Sequence, residues 1–153
     1  AGVHPAFHYP PGGRRGSLVQ HLVDKLEAAP AVVARSAIAD LVQGEAFAEW
    51  YRKPTARFPV AHLNPAGLQQ FGTQAAVVLL AEAVLLDQLA NQPNVVIEDY
   101  ALVQQILDTG TPIRQADGSL LYRLEQADGS ALLLTVERSG TAVVVRSLVR
   151  VLR

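Results

Sequence analysis

The chain has 153 residues, of which 50% are hydrophobic and 18% are charged. A composition this apolar can bury a sizeable core, which excludes intrinsic disorder of the whole chain. Thirteen basic and fourteen acidic residues leave a net charge of −1, which disfavours a general nucleic-acid coat protein. Without cysteine there is no disulfide, zinc–thiolate site or cysteine nucleophile, and the absence of methionine favours a piece of a longer polypeptide.

Residues 1–16 are predicted to form an extended arm, because they contain three of the nine prolines and four of the eleven glycines. We expect this arm to be ordered mainly by contact with another chain, since it has no periodic apolar face. His4 and His8 have the spacing of two metal ligands on a helix, but Pro5 argues against a helix there. No metal site is therefore predicted.

Residues 17–56 read as a helical segment. Ser17 is a suitable N-cap for a first helix, and Pro30 interrupts the helical pattern. A second helix is expected to stop near Gly44, and EAFAEWYR reads as a third, short helix with inward-facing aromatic side chains.

Residues 57–153 are predicted to form a small α+β domain. RFPVAHL reads as a short strand, and Asn64 is placed to cap the helix that follows. The unbroken apolar run at 75–80 predicts a strand buried on both faces. Two helices are expected next, at 82–91 and 97–110, and the second should cover the sheet through Tyr100, Leu102, Val103, Ile106 and Leu107.

The C-terminal third predicts an antiparallel β-meander. DGS triplets beginning at Asp117 and Asp128 are hairpin-turn signals, and RSGT at 138–141 is a third turn. Period-2 alternation in the last strand predicts two faces. One would carry Val145, Ser147, Val149 and Val151, and the other Arg146, Leu148, Arg150 and Leu152. The fold class is therefore α+β, with N-terminal helices first and an antiparallel sheet last.

The residues that usually transfer protons near neutral pH, histidine and lysine, are unevenly distributed along the chain. All four histidines and both lysines lie within the first 63 residues, so residues 64–153 lack a usual general base near pH 7. No catalytic residue and no cofactor is predicted. Glu98 and Asp99 are interpreted as helix-dipole partners rather than a cation site.

The one concentration of charge lies at residues 138–153, which contain four arginines and no acid. Arg146 and Arg150 are predicted to share a strand face, with Arg138 nearby across the turn and Ser147 beside them. This stripe could contact phosphates, or it could keep a sheet edge soluble. The candidate nucleic-acid-binding residues are Arg138, Arg146, Ser147 and Arg150.

The segment from VVLLAEAVLL to EDYALVQQILDTG, together with the terminal RSLVR, resembles the C-terminal region of phage Mu-type minor head morphogenesis proteins. PAFHYPPG and FPVAHL are similar to segments that precede this region in that family. The family region is described as a phage version of the barnase/EndoU/colicin/RelE-like (BECR) nuclease fold. The resemblance therefore implies a barnase-like arrangement for this chain.

The departures from the family pattern fall on its polar positions. The family's serine falls on Ala81, its lysine on Asp87 and its histidine on Gln92, and a later lysine falls on Glu137 beside Val136. Ser147 is retained. The resemblance thus implies a nuclease-type fold that has lost its chemistry.

The leading interpretation is a non-enzymatic virion component, a minor head or head morphogenesis protein at the capsid interior or portal region. It implies portal or capsid proteins as partners, no membrane, and localisation in the phage head after assembly in the host cytoplasm. The alternative is a phage-carried RNase- or DNase-like effector toxin. Its reduced site would hold Arg138, Arg146, Ser147 and a carboxylate such as Glu137. A base could come separately from His62, if it folds into a cleft with Arg146, and His21 is a weaker candidate because it lies within an amphipathic helix. A third interpretation is a module that binds nucleic acid without cutting it.

Overall fold

The computed structural model describes residues 15–152, with side chains from residue 17 onward. The helices are α1 (Arg15–Ala28), α2 (Ala31–Gln43), α3 (Glu45–Arg52), α4 (Pro65–Phe71), α5 (Glu82–Asn91) and α6 (Val103–Thr109), and a 3-10 helix (Ile97–Leu102) leads into α6. The strands are β1 (Arg57–His62), β2 (Val77–Ala81), β3 (Ile113–Arg114), β4 (Leu120–Glu125), β5 (Ala131–Ser139) and β6 (Ala142–Val151).

The strands form one mixed sheet of six, in the order β1-β2-β6-β5-β4-β3. Strands β3 to β6 are joined by consecutive antiparallel hairpins, as the turn signals predict. Strand β6 also pairs with β2 in parallel, through Val78–Val143 and Leu79–Val144. The α+β class is confirmed, and the parallel pair joins the meander to β1 and β2, which pair with each other in antiparallel.

The N-terminal helices share a hydrophobic core with the sheet. Phe47 and Trp50 of α3 lie with ring centroids 5.3 Å from that of Phe58 in β1, and Tyr100 packs against Phe47 at 5.9 Å. The Trp50 indole donates to the Thr55 carbonyl at 2.7 Å, so burial leaves no unpaired donor. This aromatic cluster connects the helical segment to the α+β unit.

The expected central strand and its covering helix are found. Residues 77–80 are buried on both faces of the sheet, and Tyr100, Val103 and Ile106 are fully buried against it. Leu107 is also buried, whereas Leu102 is only partly so. The segment 97–110 begins as a 3-10 helix rather than an α-helix, as is frequent at helix N-termini. Asp99 accepts from the Val96 N–H at 2.8 Å at its start.

The first helix begins earlier than predicted. α1 starts at Arg15, so Ser17 lies inside it and the expectation of a Ser17 N-cap is wrong. Residues 1–14 of the predicted arm lie outside the described residues. Asn64 does cap α4, where its side chain accepts from the Gly67 N–H at 2.8 Å.

The two DGS turns have the same internal geometry. Asp117 accepts from the backbone and hydroxyl of Ser119 at 3.0 and 2.7 Å, and Asp128 does the same with Ser130 at 2.9 and 2.6 Å. The central glycine of each triplet has a φ near +90°, which side chains strongly disfavour. Repeated turn chemistry therefore sets both hairpins.

The meander has a covered face and an open face, defined here by cross-strand register. The covered face packs against the helices and consists of Leu120, Tyr122, Leu132, Leu134, Val136, Val145 and Leu148, all at most 2% exposed. The open face retains partly or fully exposed side chains. It consists of Leu121, Arg123, Glu125, Leu133, Thr135, Glu137, Arg146, Ser147, Val149 and Val151.

A β-bulge at Arg146 overturns the predicted alternation of the last strand. Thr135 pairs with Ser147 but the next residue, Val136, pairs with Val145, which leaves Arg146 without a partner in β5. The extra residue restarts the alternation, so Val145 and Leu148 both point into the core. The prediction that Arg146, Leu148 and Arg150 share a face is therefore wrong.

Two glutamines close strand edges that lack a neighbouring strand. Gln88 of α5 accepts from the Leu148 N–H at 3.2 Å and donates to the Leu148 carbonyl at 2.6 Å. Gln104 of α6 makes the same reciprocal pair with the backbone of His62, at 2.8 and 2.9 Å. Each side-chain amide substitutes for a strand partner, which satisfies backbone groups that an open edge would leave exposed.

Candidate functional site

Two residues of the predicted site, Arg146 and Ser147, lie on the open face. Arg146 donates to Asp117 in the first DGS turn and lies 3.9 Å from the Glu137 carboxylate. Hydrogen bonds from the Ser119 hydroxyl and backbone, and then from Arg146, hold the pKa of Asp117 well below its usual range. Asp117 in turn raises the pKa of Arg146. The guanidinium is thus an ion-paired cation at neutral pH.

A shallow polar depression of about 300 Å³ surrounds Arg146. It is lined by Gln115, Asp117, Ser119, Leu121, Thr135, Arg146 and Ser147. Its hydroxyl groups can donate and accept hydrogen bonds, but no imidazole or amine lies beside them to take a proton. The depression has the chemistry of a binding surface for polar groups.

Arg150 lies on the other side of the sheet. Its guanidinium donates to Asp99 and to the Ser130 hydroxyl, the latter at 3.0 Å. The two charged side chains are only 16% and 7% exposed, so the ion pair is largely removed from solvent. Arg150 therefore anchors the last strand to the 3-10 helix and the second DGS turn.

Arg138 is held by backbone carbonyls at the end of α4. It donates to the carbonyls of Phe71 and Gly72 at 3.1 and 3.2 Å, and to the Gly140 carbonyl at 3.2 Å. A cation at this place satisfies the last carbonyls of the helix and complements its dipole. The three arginines of the predicted stripe thus occupy three separate environments, and only Arg146 has Ser147 beside it.

The other positions singled out by the family pattern do not converge. Ala81 ends β2, and Asp87 is exposed on α5, where it accepts from Asn91 at 2.8 Å. Gln92 follows the end of α5. Val136 is buried in the core while Glu137 lies on the open face near Arg146.

His62 lies at the end of the edge strand β1 and is 6% exposed. Its Nδ1 is 3.0 Å from the Leu63 carbonyl, so Nδ1 carries the proton and donates. Burial lowers the pKa of His62, which keeps the ring neutral. Strand β2 separates β1 from β6, and each of His62 and Arg146 contacts its own set of partners.

Sequence reasoning missed a groove between α2 and the segment 97–109. Two adjoining depressions of about 370 and 300 Å³ share Val42, Gln43 and Ala101 along their walls. Small residues, Ala39, Gly44 and Ala48, line the α2 and α3 side. Their spacing is the only sequence signal, and it is equally common in ordinary helix packing.

Within residues 15–152, no cluster of three or more His, Asp or Glu side chains is arranged to hold a metal ion. None of the helices described for this chain is long and apolar enough to cross a bilayer. Comparisons with protein-family models, curated proteins and solved structures found no match.

Proposed function

We propose that the chain is a non-enzymatic component of a phage head, a minor head or head morphogenesis protein that acts through contact with other virion proteins. Portal or capsid subunits are the partners, and the capsid interior or portal region is the place of action. The resemblance of EDYALVQQILDTG and RSLVR to the head-protein family supports the phage assignment. The α+β fold is compatible with it.

One observation carries the non-enzymatic part: the open face has guanidiniums, carboxylates and hydroxyls, but no imidazole or amine. Cleavage of RNA by its own 2′-hydroxyl needs a base, an acid for the leaving oxygen and a cation at phosphorus. General acid–base help is worth ~10² to 10⁴-fold per group. Arg146 offers the cation, but Asp117 already neutralises it, and the Glu137 carboxylate 3.9 Å away faces the same guanidinium.

His62 is a poor substitute for the missing base. Its Nδ1 proton is engaged by Leu63, and the backbone of His62 is fixed by Gln104 and by Arg35, whose guanidinium donates to the His62 carbonyl at 3.1 Å. Moving this ring to Arg146 would require breaking the end of β1. We therefore assign His62 a role in closing the edge strand.

Charge on the open face argues against nucleic-acid binding as the main activity. On the open face, Arg123 pairs with Glu125. Arg146 pairs with Asp117 of the adjoining turn and lies 3.9 Å from Glu137, so both arginines are ion-paired. Phosphate binding depends on unneutralised cations. Protein contact suits a surface that mixes paired charges with partly exposed leucine and valine.

The proposal is tested on phage particles that carry this gene, purified on a density gradient and treated with protease from outside. Mass spectrometry should find the chain at a fixed ratio to the portal subunit, protected until the capsid is opened. A chain absent from protease-treated particles would overturn the virion assignment.

Nucleic-acid contact is measured separately with labelled RNA and DNA at low and high salt. We expect weak binding that Arg146→Ala changes no more than Arg52→Ala, an exposed arginine on α3 that serves as the matched control. Tight, salt-sensitive binding that only Arg146→Ala abolishes would favour the nucleic-acid-binding module.

A further inference from the structure

The groove between α2 and the segment 97–109 has an apolar floor and low rims. Ile38, Val42 and Val60 line the floor, and all three belong to the hydrophobic core. The rims carry small side chains that stay partly or fully exposed, Ala39, Ala48 and Ala101. None of the lining residues belongs to the open face, so a partner in the groove leaves that face free.

The walls of the groove are acidic. Residues 38–48 and 97–109 supply all of its lining except Val60, and they contain five acids and no base. Two of these acids pair with an arginine from elsewhere in the chain. Among the residues that the structure describes, the other three take part in no ion pair: Asp40, Glu45 and Glu98. The groove therefore favours a cationic occupant.

The occupant has to satisfy its own backbone. Both walls are helical, so they present side chains rather than the free N–H and carbonyl groups of a strand edge. Gln104, which also lines the groove, is already engaged with the backbone of His62. An extended peptide would leave its backbone groups unpaired here, whereas a helix bonds them internally.

The length of the groove suits a short helix. The wall from Ile97 to Thr109 is a 3-10 helix followed by an α-helix, and both of its end residues line the groove. At 2.0 and 1.5 Å per residue, this wall is about 20 Å long. A helix of about 13 residues covers that length. Its apolar residues at i, i+3, i+4 and i+7 would face the floor, and basic residues beside them would face the walls.

We propose that this groove binds an amphipathic helix of a partner protein, with leucine-like side chains on the floor and a lysine or arginine beside Glu98. A second copy of this chain offers α5, which exposes Leu86 and Leu89, but both charged residues of α5 are acids. The groove would repel that helix. The contact is separate from the open face, so it can fail without affecting the proposed function.

The test uses the full chain and two synthetic peptides of about 14 residues. One has leucines at i, i+3, i+4 and i+7 with lysines on both sides of this stripe, and the other has glutamate in place of every lysine. Fluorescence anisotropy measures binding at low and high salt. Amide chemical-shift changes in the isotope-labelled chain locate the site.

Two pairs of variants separate the groove from the rest of the surface. Ala39→Trp fills the groove from an exposed position on α2, and Ala83→Trp changes an exposed alanine on α5 as its control. Glu98→Lys reverses a charge at the groove, and Glu82→Lys does the same to another exposed glutamate in the first turn of a helix. Thermal melts check folding, and Glu98→Lys decides the test if Ala39→Trp is destabilised.

We expect the lysine peptide to bind one to one and to shift amides in residues 38–48 and 97–109. Ala39→Trp should weaken this binding about tenfold or more, Glu98→Lys about fivefold, and each control less than about twofold. High salt should also weaken it, because the charges of the groove lie at the surface.

Three results with the peptides would overturn the proposal: no binding of the lysine peptide, equal binding of the glutamate peptide, or shifts confined to other surfaces. Two results without peptide would also overturn it. Shifts of residues 1–14 caused by Ala39→Trp would assign the groove to the chain's own N-terminal segment. Groove shifts that change with protein concentration alone would assign it to a second copy.

Discussion

Arg146 and Arg150 lie four residues apart on one strand, yet they belong to opposite faces of the sheet. Arg150 reaches the covered side and meets Asp99 in an ion pair largely removed from solvent, whereas Arg146 meets Asp117 at the surface with both side chains about half exposed. The bulge between Val145 and Ser147 causes this divergence. One arginine therefore helps to hold the fold together, and the other is available for contact.

The same contrast extends over the whole meander. Covered-face side chains sit in one hydrophobic core, while the open face combines ion pairs with half-buried leucine and valine. An antiparallel sheet can be stable when only one of its two faces is packed against a hydrophobic core. The open face is consequently free to carry function, and the comparison between the faces can be tested residue by residue.

The largest difference is expected between the adjacent leucines Leu134 and Leu133. Leu134→Ala should lower the free energy of unfolding by about 3 kcal/mol, since a fully buried leucine is lost and a cavity remains. Leu133→Ala, on the open face, should cost about 1 kcal/mol or less. Urea denaturation of both variants measures the difference, and equal losses would mean that the faces are not distinct.

Arg150→Ala should be the next most damaging change. Removing the guanidinium leaves Asp99 buried without its counter-charge, which costs about 3 kcal/mol in buried pairs. Arg146→Ala is the matched control and should shift the urea midpoint far less, because Asp117 becomes hydrated when its partner is lost. A larger shift for Arg146→Ala would contradict the assignment of the two arginines.

Gln88→Ala should destabilise the chain by about 2 kcal/mol. It leaves the buried N–H and carbonyl of Leu148 without partners. Gln104→Ala should cost less, since water can reach the His62 backbone at the more exposed edge and Arg35 still donates to its carbonyl. If the order of the two losses were reversed, the view that burial decides the value of these amides would be wrong.

The smallest expected effect is a pH dependence from His62. Burial lowers its pKa in the folded chain below the ordinary value of 6.5, so the unfolded chain binds the proton first as the pH falls. Stability should therefore be full above pH 6.5 and decline as the pH falls through the lowered pKa of the folded state. Thermal melts of the parent and His62→Gln from pH 7.5 to 5 measure the effect; the glutamine variant should lack this component.

Local signals predicted most of the secondary structure because they act within a few residues. The DGS triplets specify their own turns through Asp117 and Asp128, and Asn64 caps its helix as its position suggests. The run at 77–80 is apolar enough to be buried in any arrangement.

Long-range relations were not accessible to the same reasoning. The bulge at Arg146 depends on how β5 and β6 pair. Strict alternation of side chains along a strand assumes that no residue is inserted, so it cannot predict a bulge. The parallel contact of Val78 with Val143 joins segments far apart in the sequence. Gln88 and Gln104 look like ordinary helix residues in the sequence, because their role depends on the strand edges that lie beside them in the fold. The residues of the candidate site could therefore be named from the sequence, but their separation onto two faces of the sheet could not be predicted.

The central claim, that the chain does not cleave nucleic acid, is tested most directly by incubating the purified chain with a long, structured RNA. His62→Ala and Arg146→Ala are assayed beside the parent. With all three proteins, the RNA should be degraded no faster than in buffer alone. Cleavage by the parent that disappears in either variant would contradict it and identify the chain as a nuclease effector.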